Sequence, residues 1–381
     1  MAKKTKVGLK VPTKNEMLKK YSGIIKLASD VEEHGLFIPS TFFALNYLFG
    51  KGIPYGKSIE IMGEESSGKS LVAYNFAYAT QQLGGHVIWV DAEQSWMNSW
   101  AEINGVDPNR VTIVNDTRIE YIADVVADLA IYLRSQYTHN EPILLVIDSI
   151  AATDCTDNID AKMVEGKAEM GGRAKALYKY FRIRSELFYK LGITQIYINQ
   201  LRTSLNVGFG KDNTTTTGGA ALKFYACIRA AFFSGKTVTV KQNGKDRKAG
   251  KLVTIQLKKN KVAPPRPTIS KCPVYFNPKY HEVGFDRCFG LEDVLVDTDV
   301  VQKTSGGYKM KGKTLARGEE KFQKLLEEDD ELRRKLLRKA GVNTIGTTKK
   351  QLEKLTTNLF PVDGVEYENF SESDDEEEDD E

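Results

Sequence analysis

A phosphate-binding loop is indicated by the octapeptide Gly63-Glu64-Glu65-Ser66-Ser67-Gly68-Lys69-Ser70. Glycines let backbone N–H groups close around an anion at the start of a helix, where the helix dipole favours negative charge. Lys69 supplies a fixed cation for the β- and γ-phosphates, and the Ser70 hydroxyl is placed to ligate Mg²⁺. The strand-like run 58–62 and the helix-like run 71–82 flank the motif, as it requires. The stretch therefore predicts that the protein binds a nucleoside triphosphate.

Two acidic residues lie just beyond other strand-like runs. Asp148 directly follows the apolar run 143–147, and Glu93 follows the run 87–90 within Asp91-Ala92-Glu93. Ligands of an open parallel sheet bind beyond the carboxyl ends of its strands, so both acids should face the phosphate loop. Asp148 fits the acid that helps to hold Mg²⁺, and Glu93 is a candidate to activate water. Each acid alone is more often a solvated strand end or a helix cap, but the pair favours catalysis.

The elements that must position these residues follow an alternating pattern. Near-continuous apolar strands alternating with amphipathic helices predict an α/β fold, with a largely parallel central sheet flanked by helices. An amphipathic helix at 15–33 and a short helix at 42–49 precede the phosphate loop, and two charged helices near the C-terminus are expected at 315–337 and 349–359. The remaining strands are expected at 87–90, 111–114, 143–147 and 195–198, and the helices between them at 119–132 and 173–190.

Two long polar stretches leave the sheet on the same edge as the phosphate loop, at about 157–172 and 202–219. Loops of this length inside a compact domain are functional or disordered. Arg202, with the apolar Val207 and Phe209 among Gly and Asn, suits a single nucleic-acid strand, because cations meet phosphates and apolar tips meet bases. Phe209 could equally anchor the loop to the core, and the residues alone leave both readings open.

Composition and charge limit the class of protein. The chain has 381 residues, of which 41% are apolar and 28% charged, as expected of a globular protein with more than one domain. Its apolar runs are too short to span a bilayer, no secretion signal follows the basic N-terminus, and the four widely spaced cysteines predict reduced thiols. Residues 363–381 hold twelve acids and no Lys or Arg, so the whole chain has a net charge of +3 while the remaining residues have a net charge of +15. A basic body with an acidic tail predicts a polyanionic ligand with which the tail competes, although solubility alone could explain the tail.

Several runs together resemble a RecA-type homologous recombinase in order and spacing, from about residue 37 to about residue 340. The most specific of them is the run 221–229, ALKFYACIR; the others are 63–70, 91–93, 146–152, 198–202 and 216–219. The resemblance implies a RecA-like P-loop NTPase core, an N-terminal helix and a small C-terminal α/β domain. It divides the chain into a basic arm with an oligomerisation helix (1–36), an ATPase core (37–282), a C-terminal domain (283–362) and an acidic disordered tail (363–381).

Matched positions imply roles in ATP binding and hydrolysis. Lys69, Glu93 and Gln200 would be catalytic, with Glu93 as the general base and Gln200 sensing the γ-phosphate. Ser70 and Asp148 would hold Mg²⁺. Trp100 would stack on adenine, although a place in the core suits it equally. Lys259 and Lys261 would reach the ATP site of a neighbouring subunit, although their strand also has the alternating pattern of an exposed edge strand. ATP itself would contact the whole phosphate loop, namely Gly63, Glu64, Glu65, Ser66, Ser67, Gly68, Lys69 and Ser70, together with Trp100, Asp148, Lys259 and Lys261.

Matched positions also imply a DNA-binding surface made by the two long loops. The DNA contacts would be Met170, Gly171, Gly172, Arg173, Lys175, Arg182, Arg202, Val207, Phe209, Gly218 and Gly219. Three departures from the family pattern limit the match. The second loop has one extra residue in its threonine run, Met97 stands near where an acid often contacts adenine, and Thr254 and Gln256 replace basic residues thought to guide duplex DNA.

The expected function is that of a DNA-dependent ATPase that forms a helical filament on single-stranded DNA. It would pair that strand with homologous duplex DNA and exchange strands in recombination and the repair of DNA damage, with single-strand-binding or loader proteins as further partners. The expected location is the cytoplasm of a bacterium or a phage-infected cell. Two alternatives share the fold: a hexameric DNA helicase and a non-catalytic recombination mediator. The run 221–229 and the N-terminal helix favour the recombinase over the helicase, and the intact catalytic residues argue against the mediator.

Overall fold

A computed structural model describes residues 12–21, 35–137, 140–160, 171–203, 214–242, 244–355 and 359–360, with the backbone alone at 202, 203, 214 and 215. The chain forms two compact units, 1–35 and 36–381. In the first unit, helix α1 (Lys14–Lys20) begins with a capping box, in which Thr13 and Glu16 each accept a hydrogen bond from the other's backbone N–H. The predicted N-terminal helix is thus confirmed over 15–20, and its residues 22–33 lie outside the described ranges.

The second unit contains the sheets and the remaining helices. Its elements are β1 (Phe37–Ile38), α2 (Phe43–Phe49), β2 (Ile53–Pro54), β3 (Ser58–Gly63), α3 (Lys69–Gln82), β4 (His86–Asp91), α4 (Asn98–Ile103), β5 (Val111–Val114), α5 (Ile119–Gln136), β6 (Ile143–Asp148), α6 (Thr156–Asp160), α7 (Gly172–Lys190), β7 (Ile193–Thr203), β8 (Thr214–Thr216), α8 (Ala221–Tyr225), β9 (Ile228–Gln242), β10 (Lys245–Asn260), β11 (Ile269–Tyr275), β12 (Gly284–Phe285), α9 (Leu291–Asp297), β13 (Gln302–Thr304), β14 (Gly307–Met310), β15 (Lys313–Ala316), α10 (Glu319–Glu328), α11 (Asp330–Lys339) and α12 (Ile345–Leu352).

One large sheet organises this unit. Its strands run in the order β12-β11-β10-β9-β3-β7-β6-β4-β5, with β8 paired to β7. The six strands from β9 to β5 are mutually parallel, whereas β10, β11 and β12 add on antiparallel. The predicted α/β fold with a largely parallel central sheet is therefore confirmed. The carboxyl ends of β3, β4, β6 and β7 share one edge, where parallel sheets bind ligands.

Side chains of the parallel strands alternate between two apolar layers, as the pleat of a strand dictates. On β4, Trp89 packs in the layer that contains α3, while Ile88 and Val90 pack in the layer that contains α5 and α7. Both faces of the sheet are covered by helices, as predicted. The apolar layer of α3 also includes Phe322 and other buried residues of the C-terminal helices, so the core continues into that segment.

Two predicted helical segments near the C-terminus form with bounds that differ from the prediction. The expected helix 315–337 is instead the end of β15 followed by α10 and α11. Asp329 separates these helices, because its side chain accepts the Leu332 N–H (2.9 Å) and so caps α11. The expected helix 349–359 is α12, which begins earlier, after Thr344 caps it through the Thr347 N–H. In addition, β10 lies between β9 and β11, so the edge-strand reading of its alternating pattern is wrong.

Candidate functional site

The phosphate loop connects β3 to α3 at the ligand edge of the sheet. The Ser67 hydroxyl donates to the Glu64 carbonyl (2.8 Å), which closes the loop on itself. Gly68 has a φ of +86°, and a Cβ there would lie 3.2 Å from the Phe285 ring. A glycine is required at this position for both reasons. The loop is therefore shaped from within by Ser67 and supported from outside by Phe285 on β12.

Lys69 is the first residue of α3, and its Nζ donates to the Glu64 carbonyl (2.6 Å). Burial lowers the pKa of Lys69, and the nearby carboxylates of Asp148 and Glu93 act in the opposite direction. The ammonium group thus lies over its own loop and binds a backbone oxygen. An anion held by the loop would offer this cation a stronger, charged partner.

Ser70 and Asp148 lie side by side, since the Ser70 hydroxyl donates to Asp148 Oδ2 (2.9 Å). Asp148 is only 5% exposed, and burial raises its pKa to about 6. Within the described residues no group of three His, Cys, Asp or Glu side chains could hold a metal. One hydroxyl and one carboxylate are nonetheless a donor set that suits Mg²⁺, which takes few protein ligands and keeps phosphates and waters. The residues present therefore fit a nucleotide-bound Mg²⁺.

Glu93 lies beside this pair because β4 and β6 are parallel neighbours, with Asp91 opposite Asp148. Its side chain is exposed, and its Oε1 accepts the Ser149 hydroxyl (2.5 Å). Asp91 has a different task, since its carboxylate accepts the backbone N–H groups of Ser95 (3.0 Å) and Trp96 (2.9 Å). The two acids of this segment thus have different roles: Asp91 holds the turn, and Glu93 lies at the edge with one carboxylate oxygen that has no hydrogen-bond partner among the described residues.

Trp100 lies on α4 and is half-buried against the apolar layer of α3. The neighbouring Trp96 is fully engaged there, with its ring centroid 5.5 Å from that of Tyr74 and 5.1 Å from that of Trp89. Met97 is 57% exposed. The half-exposed Trp100 ring can serve both as a packing residue and as a surface for a base, so its stacking role stays a prediction.

Gln200 lies next to the phosphate loop across the sheet, because it pairs with Gly63 in the register of β7 and β3. From this point β7 continues through Arg202 and Thr203, where it pairs with β8. The strand that passes the phosphate loop is therefore the same strand that enters the second predicted DNA loop.

The described ends of the two predicted DNA loops meet at the start of α7. Gly171 caps this helix, and Arg173 pairs with Asp154 (3.3 Å), which closes the base of the first loop. At the end of the second loop, a Cβ on Gly218 would meet the Leu177 side chain (2.5 Å), and one on Gly219 would meet Ala174 (3.1 Å).

Two other predicted DNA contacts are exposed side chains of α7, Lys175 and Arg182. They are seven positions apart, which corresponds to about 10 Å along a helix. Arg202 is described by its backbone alone, while Met170, Val207 and Phe209 lie outside the described residues. The structure thus brings Gly171, Gly172, Arg173, Gly218 and Gly219 together, with the charge of α7 beside them.

Lys259 and Lys261 lie at the other end of the sheet from the phosphate loop of their own chain. Lys259 pairs with Arg229 in the register of β10 and β9, and Arg229 in turn pairs with Glu60, three positions before Gly63 on β3. The Lys259 ammonium donates to the carbonyls of Lys223 (2.7 Å) and Phe224 (3.1 Å). The structure therefore does not bring these two lysines to the nucleotide site within one chain.

Comparison with known proteins gives one consistent result. The family model described as the RecA N-terminal domain matches residues 13–277. A protein named RecA from Corynebacterium efficiens is 32% identical over 81% of this chain and 76% of its own length. RecA proteins from a Nocardioides species (33% identity, 84% and 87%) and from Gloeothece citriformis (31%, 77% of each chain) are also similar.

The chain belongs to the RecA family. Membership makes it a RecA-family recombinase, an ATP-binding and DNA-binding protein of recombination and repair. None of the helices in the described part of the chain is long and apolar enough to cross a membrane.

Two functional features of this RecA-family site escaped the sequence analysis. Ser149 orients Glu93, and the only signal for it is its position directly after Asp148. Phe285 supports the phosphate loop from more than 200 residues away. Its sequence surroundings, Val283-Gly284-Phe285, carry no pattern that points to the loop, so only the folded sheet could reveal it.

Proposed function

We propose that the protein is an ATP-dependent recombinase that forms a helical filament on single-stranded DNA, pairs it with homologous duplex DNA and exchanges strands. The observation that carries this proposal is the register of β7: Gln200 lies opposite Gly63, and the same strand continues into the second DNA loop. A residue beside the phosphate loop can therefore pass a change there to the DNA-binding surface through one continuous strand.

The ATP site would act through the residues already in place. Lys69 exchanges its bond to the Glu64 carbonyl for the β- and γ-phosphates, and Ser70 and Asp148 hold Mg²⁺. Mg²⁺, when bound, neutralises negative charge on the phosphates. Glu93 accepts the proton of the attacking water with its free carboxylate oxygen, while Ser149 fixes the other oxygen. Gln200 completes the site from the neighbouring strand.

Lys259 and Lys261 would serve the ATP site of the next subunit. Through Arg229, Lys259 is level with Glu60, which is three positions or roughly 10 Å of strand before Gly63, and β10 lies two strands, roughly another 10 Å, to the side of β3. This separation is too large for a lysine of the same chain to reach the phosphates, and it favours action in trans. ATP hydrolysis would then depend on assembly of the filament.

The DNA surface would be the shared start of α7. Arg173 already pairs with Asp154, so it shapes the base of the first loop, while Lys175 and Arg182 add positive charge for the phosphate backbone. Met170, Arg202, Val207 and Phe209 complete the surface from the loops themselves. We also propose the segments 1–36, 37–282, 283–362 and 363–381 as functional divisions, a cytoplasmic location, and single-strand-binding or loader proteins as partners.

A strand-exchange assay tests this function directly. With ATP and Mg²⁺, the wild type should convert homologous but not heterologous duplex, and single-stranded DNA should stimulate ATP hydrolysis. Closed rings in electron micrographs, instead of open filaments, would favour a hexameric helicase. Absence of both stimulation and exchange would favour a non-catalytic mediator.

A mixing experiment tests the action in trans. Lys69→Ala and the double variant Lys259→Ala, Lys261→Ala should each hydrolyse ATP poorly, and their mixture should regain activity, because intact lysines of one chain meet an intact phosphate loop of the other. Lys241→Ala, at the exposed far end of β9, is the matched control and should behave as wild type. A mixture no more active than its parts would exclude the trans arrangement.

A further inference from the structure

Glu60 is an acid in the middle of the central strand β3, with no exposed surface. Its neighbours in the sequence are Ile59 and Ile61, and both are completely buried. A buried carboxylate is costly unless charged and hydrogen-bonding partners surround it. Its partners therefore indicate why the strand that leads to the phosphate loop carries an acid here.

Two side chains from the strands on either side of β3 satisfy this carboxylate. On β9, Arg229 Nε donates to Glu60 Oε2 (2.5 Å), and this guanidinium side chain is only 11% exposed. On β7, Asn199 Nδ2 donates to Glu60 Oε1 (2.9 Å). These three residues, here named the Glu60 network, link β3, which leads into the phosphate loop, to β7, which carries Gln200, and to β9, which is the neighbour of the strand that carries Lys259.

Asn199 connects this network to the DNA side of the protein. Its Nδ2 also donates to the Thr217 carbonyl (3.0 Å), at the end of the second DNA loop, and its Oδ1 accepts the Gln200 N–H (2.9 Å). Both N–H bonds of the amide are thus used, one by Glu60 and one by Thr217. The bond to Glu60 fixes which way the Asn199 amide faces, because the acid can only accept.

Arg229 connects the Glu60 network to β10, the strand that carries Lys259. Arg229 pairs directly with Lys259 in the register of β9 and β10. Its Nη2 also contacts Met62 Sδ (3.8 Å), one residue before the phosphate loop. The Glu60 network therefore adjoins the residue before the phosphate loop, Gln200, the end of the second DNA loop and Lys259.

We propose that Glu60 and Arg229 are positioning residues: they orient the Asn199 amide so that Gln200 and the end of the second DNA loop at Thr217 move as one unit with the phosphate loop. Neither residue touches ATP or DNA. This inference rests on the proposed function, and it adds to Gln200 a buried device that transmits the change. Loss of the network should weaken the coupling between ATP and DNA while leaving ATP binding itself intact.

Two matched double variants test the proposal. Glu60→Met with Arg229→Met replaces the ion pair by apolar side chains of similar volume, a change that folded proteins often tolerate. It removes the acceptor for Asn199. Glu60→Gln with Arg229→Gln also removes both charges but keeps an amide oxygen that can accept from Asn199. The comparison therefore asks whether an acceptor for Asn199 restores what the apolar pair removes.

Coupling is measured as the stimulation of ATP hydrolysis by single-stranded DNA, and as the ATP-induced slowing of amide exchange in residues 214–219. We expect the Met pair to lose about tenfold or more of the stimulation, within the usual range of allosteric couplings, with the Kd for ATP unchanged within about twofold. The Gln pair should stay within about threefold of wild type. Wild-type coupling in the Met pair, or equal loss in both pairs, would overturn the proposal.

Asn199→Ala covers the case in which the Met pair does not fold. It keeps the Glu60–Arg229 ion pair but removes both tethers, so it should lose coupling as well, and wild-type coupling in this variant would overturn the proposal. The amide-exchange measurement needs only nucleotide. If the wild type showed no response to DNA and no strand exchange, the proposed function would fail. The amide-exchange measurement with ATP would still decide the role of the Glu60 network.

Discussion

The two ends of the central sheet are built on different principles. At the carboxyl end, Lys69, Ser70 and Glu93 each hold one polar partner, and Glu93 is exposed. At the amino end, Arg134 is fully buried and its guanidinium donates to the carbonyls of Leu191, Tyr137 and Glu141. Side chains at the carboxyl end thus keep unused hydrogen-bonding groups near the surface, whereas Arg134 uses its Nε and Nη1 to hold backbone carbonyls of the fold, and its Nη2 is buried without a partner among the described residues.

The C-terminal segment strengthens this contrast. Phe360 is 3% exposed at the amino end, where its ring packs 6.3 Å from that of Tyr55 and 5.3 Å from the Arg134 guanidinium. Gly192 allows this close approach, since a Cβ there would lie 2.6 Å from the Phe360 ring. The chain is thus fastened at the end of the sheet opposite its own phosphate loop. Substitutions at the two ends should therefore separate loss of activity from loss of stability.

The largest effect is expected from Lys69→Ala at the carboxyl end. Hydrolysis should fall by about 10²–10³-fold, because the phosphates lose a preorganised cation, while thermal stability changes little. DNA-stimulated ATP hydrolysis and thermal unfolding give the two measurements. Lys190→Ala is the control at the amino end, where that lysine makes an exposed pair with Glu186. An equal loss of activity in both variants would contradict the functional difference between the ends.

Phe360→Ala should show the opposite pattern. Removing a buried ring costs about 3–5 kcal/mol in a core, so the free energy of unfolding should fall by up to this amount, with hydrolysis per folded molecule unchanged. Denaturant unfolding and the hydrolysis rate are the measurements. Tyr132→Ala, which removes an aromatic side chain that is 60% exposed on α5, should leave stability nearly unchanged. Wild-type stability in Phe360→Ala would show that the segment is not anchored.

The sequence predicts the carboxyl end better than the amino end, for a physical reason. Phosphate binding needs particular residues at fixed spacing. Gly63, Lys69, Ser70 and Asp148 could therefore be recognised in the sequence, and the structure brings them together. Packing needs only volume and polarity, so nothing in the sequence near Phe360 indicates Tyr55 or Gly192 as its partners. The amphipathic pattern also misleads where a capping residue ends a helix. Asp329 interrupts a continuous amphipathic pattern and divides it into two helices.

A buried acid is the signal that sequence analysis could have used and did not. Glu60 stands between two isoleucines in a strand that was expected to be buried, and such an acid requires a cation nearby. Its cation, Arg229, lies 169 positions away, in the run that most specifically resembles the RecA family. The charge conflict was visible in the sequence, but the neighbour order of β3, β7 and β9 was needed to resolve it.

Ser149→Ala tests whether the hydrogen bond from Ser149 holds the Glu93 carboxylate in the orientation that hydrolysis needs. The loss of one hydrogen bond to a charged group is worth about 1.5–3 kcal/mol, so the hydrolysis rate at saturating ATP should fall by about tenfold or more. The KM for ATP should not change, because Ser149 makes no contact expected to bind nucleotide. Ser95→Ala, beside Asp91 in the neighbouring turn, is the control and should keep the wild-type rate. A raised KM with a normal rate would mean that Ser149 contributes to ATP binding and does not orient Glu93.

Substitution of Trp100 should have the smallest effect on ATP binding and hydrolysis. It tests whether this ring contacts the nucleotide or only packs in the core. If the ring stacks on adenine, Trp100→Ala should weaken ATP binding by about three- to tenfold, the usual value of an aromatic pair, while Trp100→Phe stays near wild type. Inorganic tripolyphosphate, which has phosphates but no base, should bind equally to all three proteins. If instead the ring only packs on the α3 layer, both ligands should bind normally and thermal stability alone should fall. Weakening of both ligands together would mean that Trp100 acts by supporting the phosphate loop, and would extend the packed region into the site.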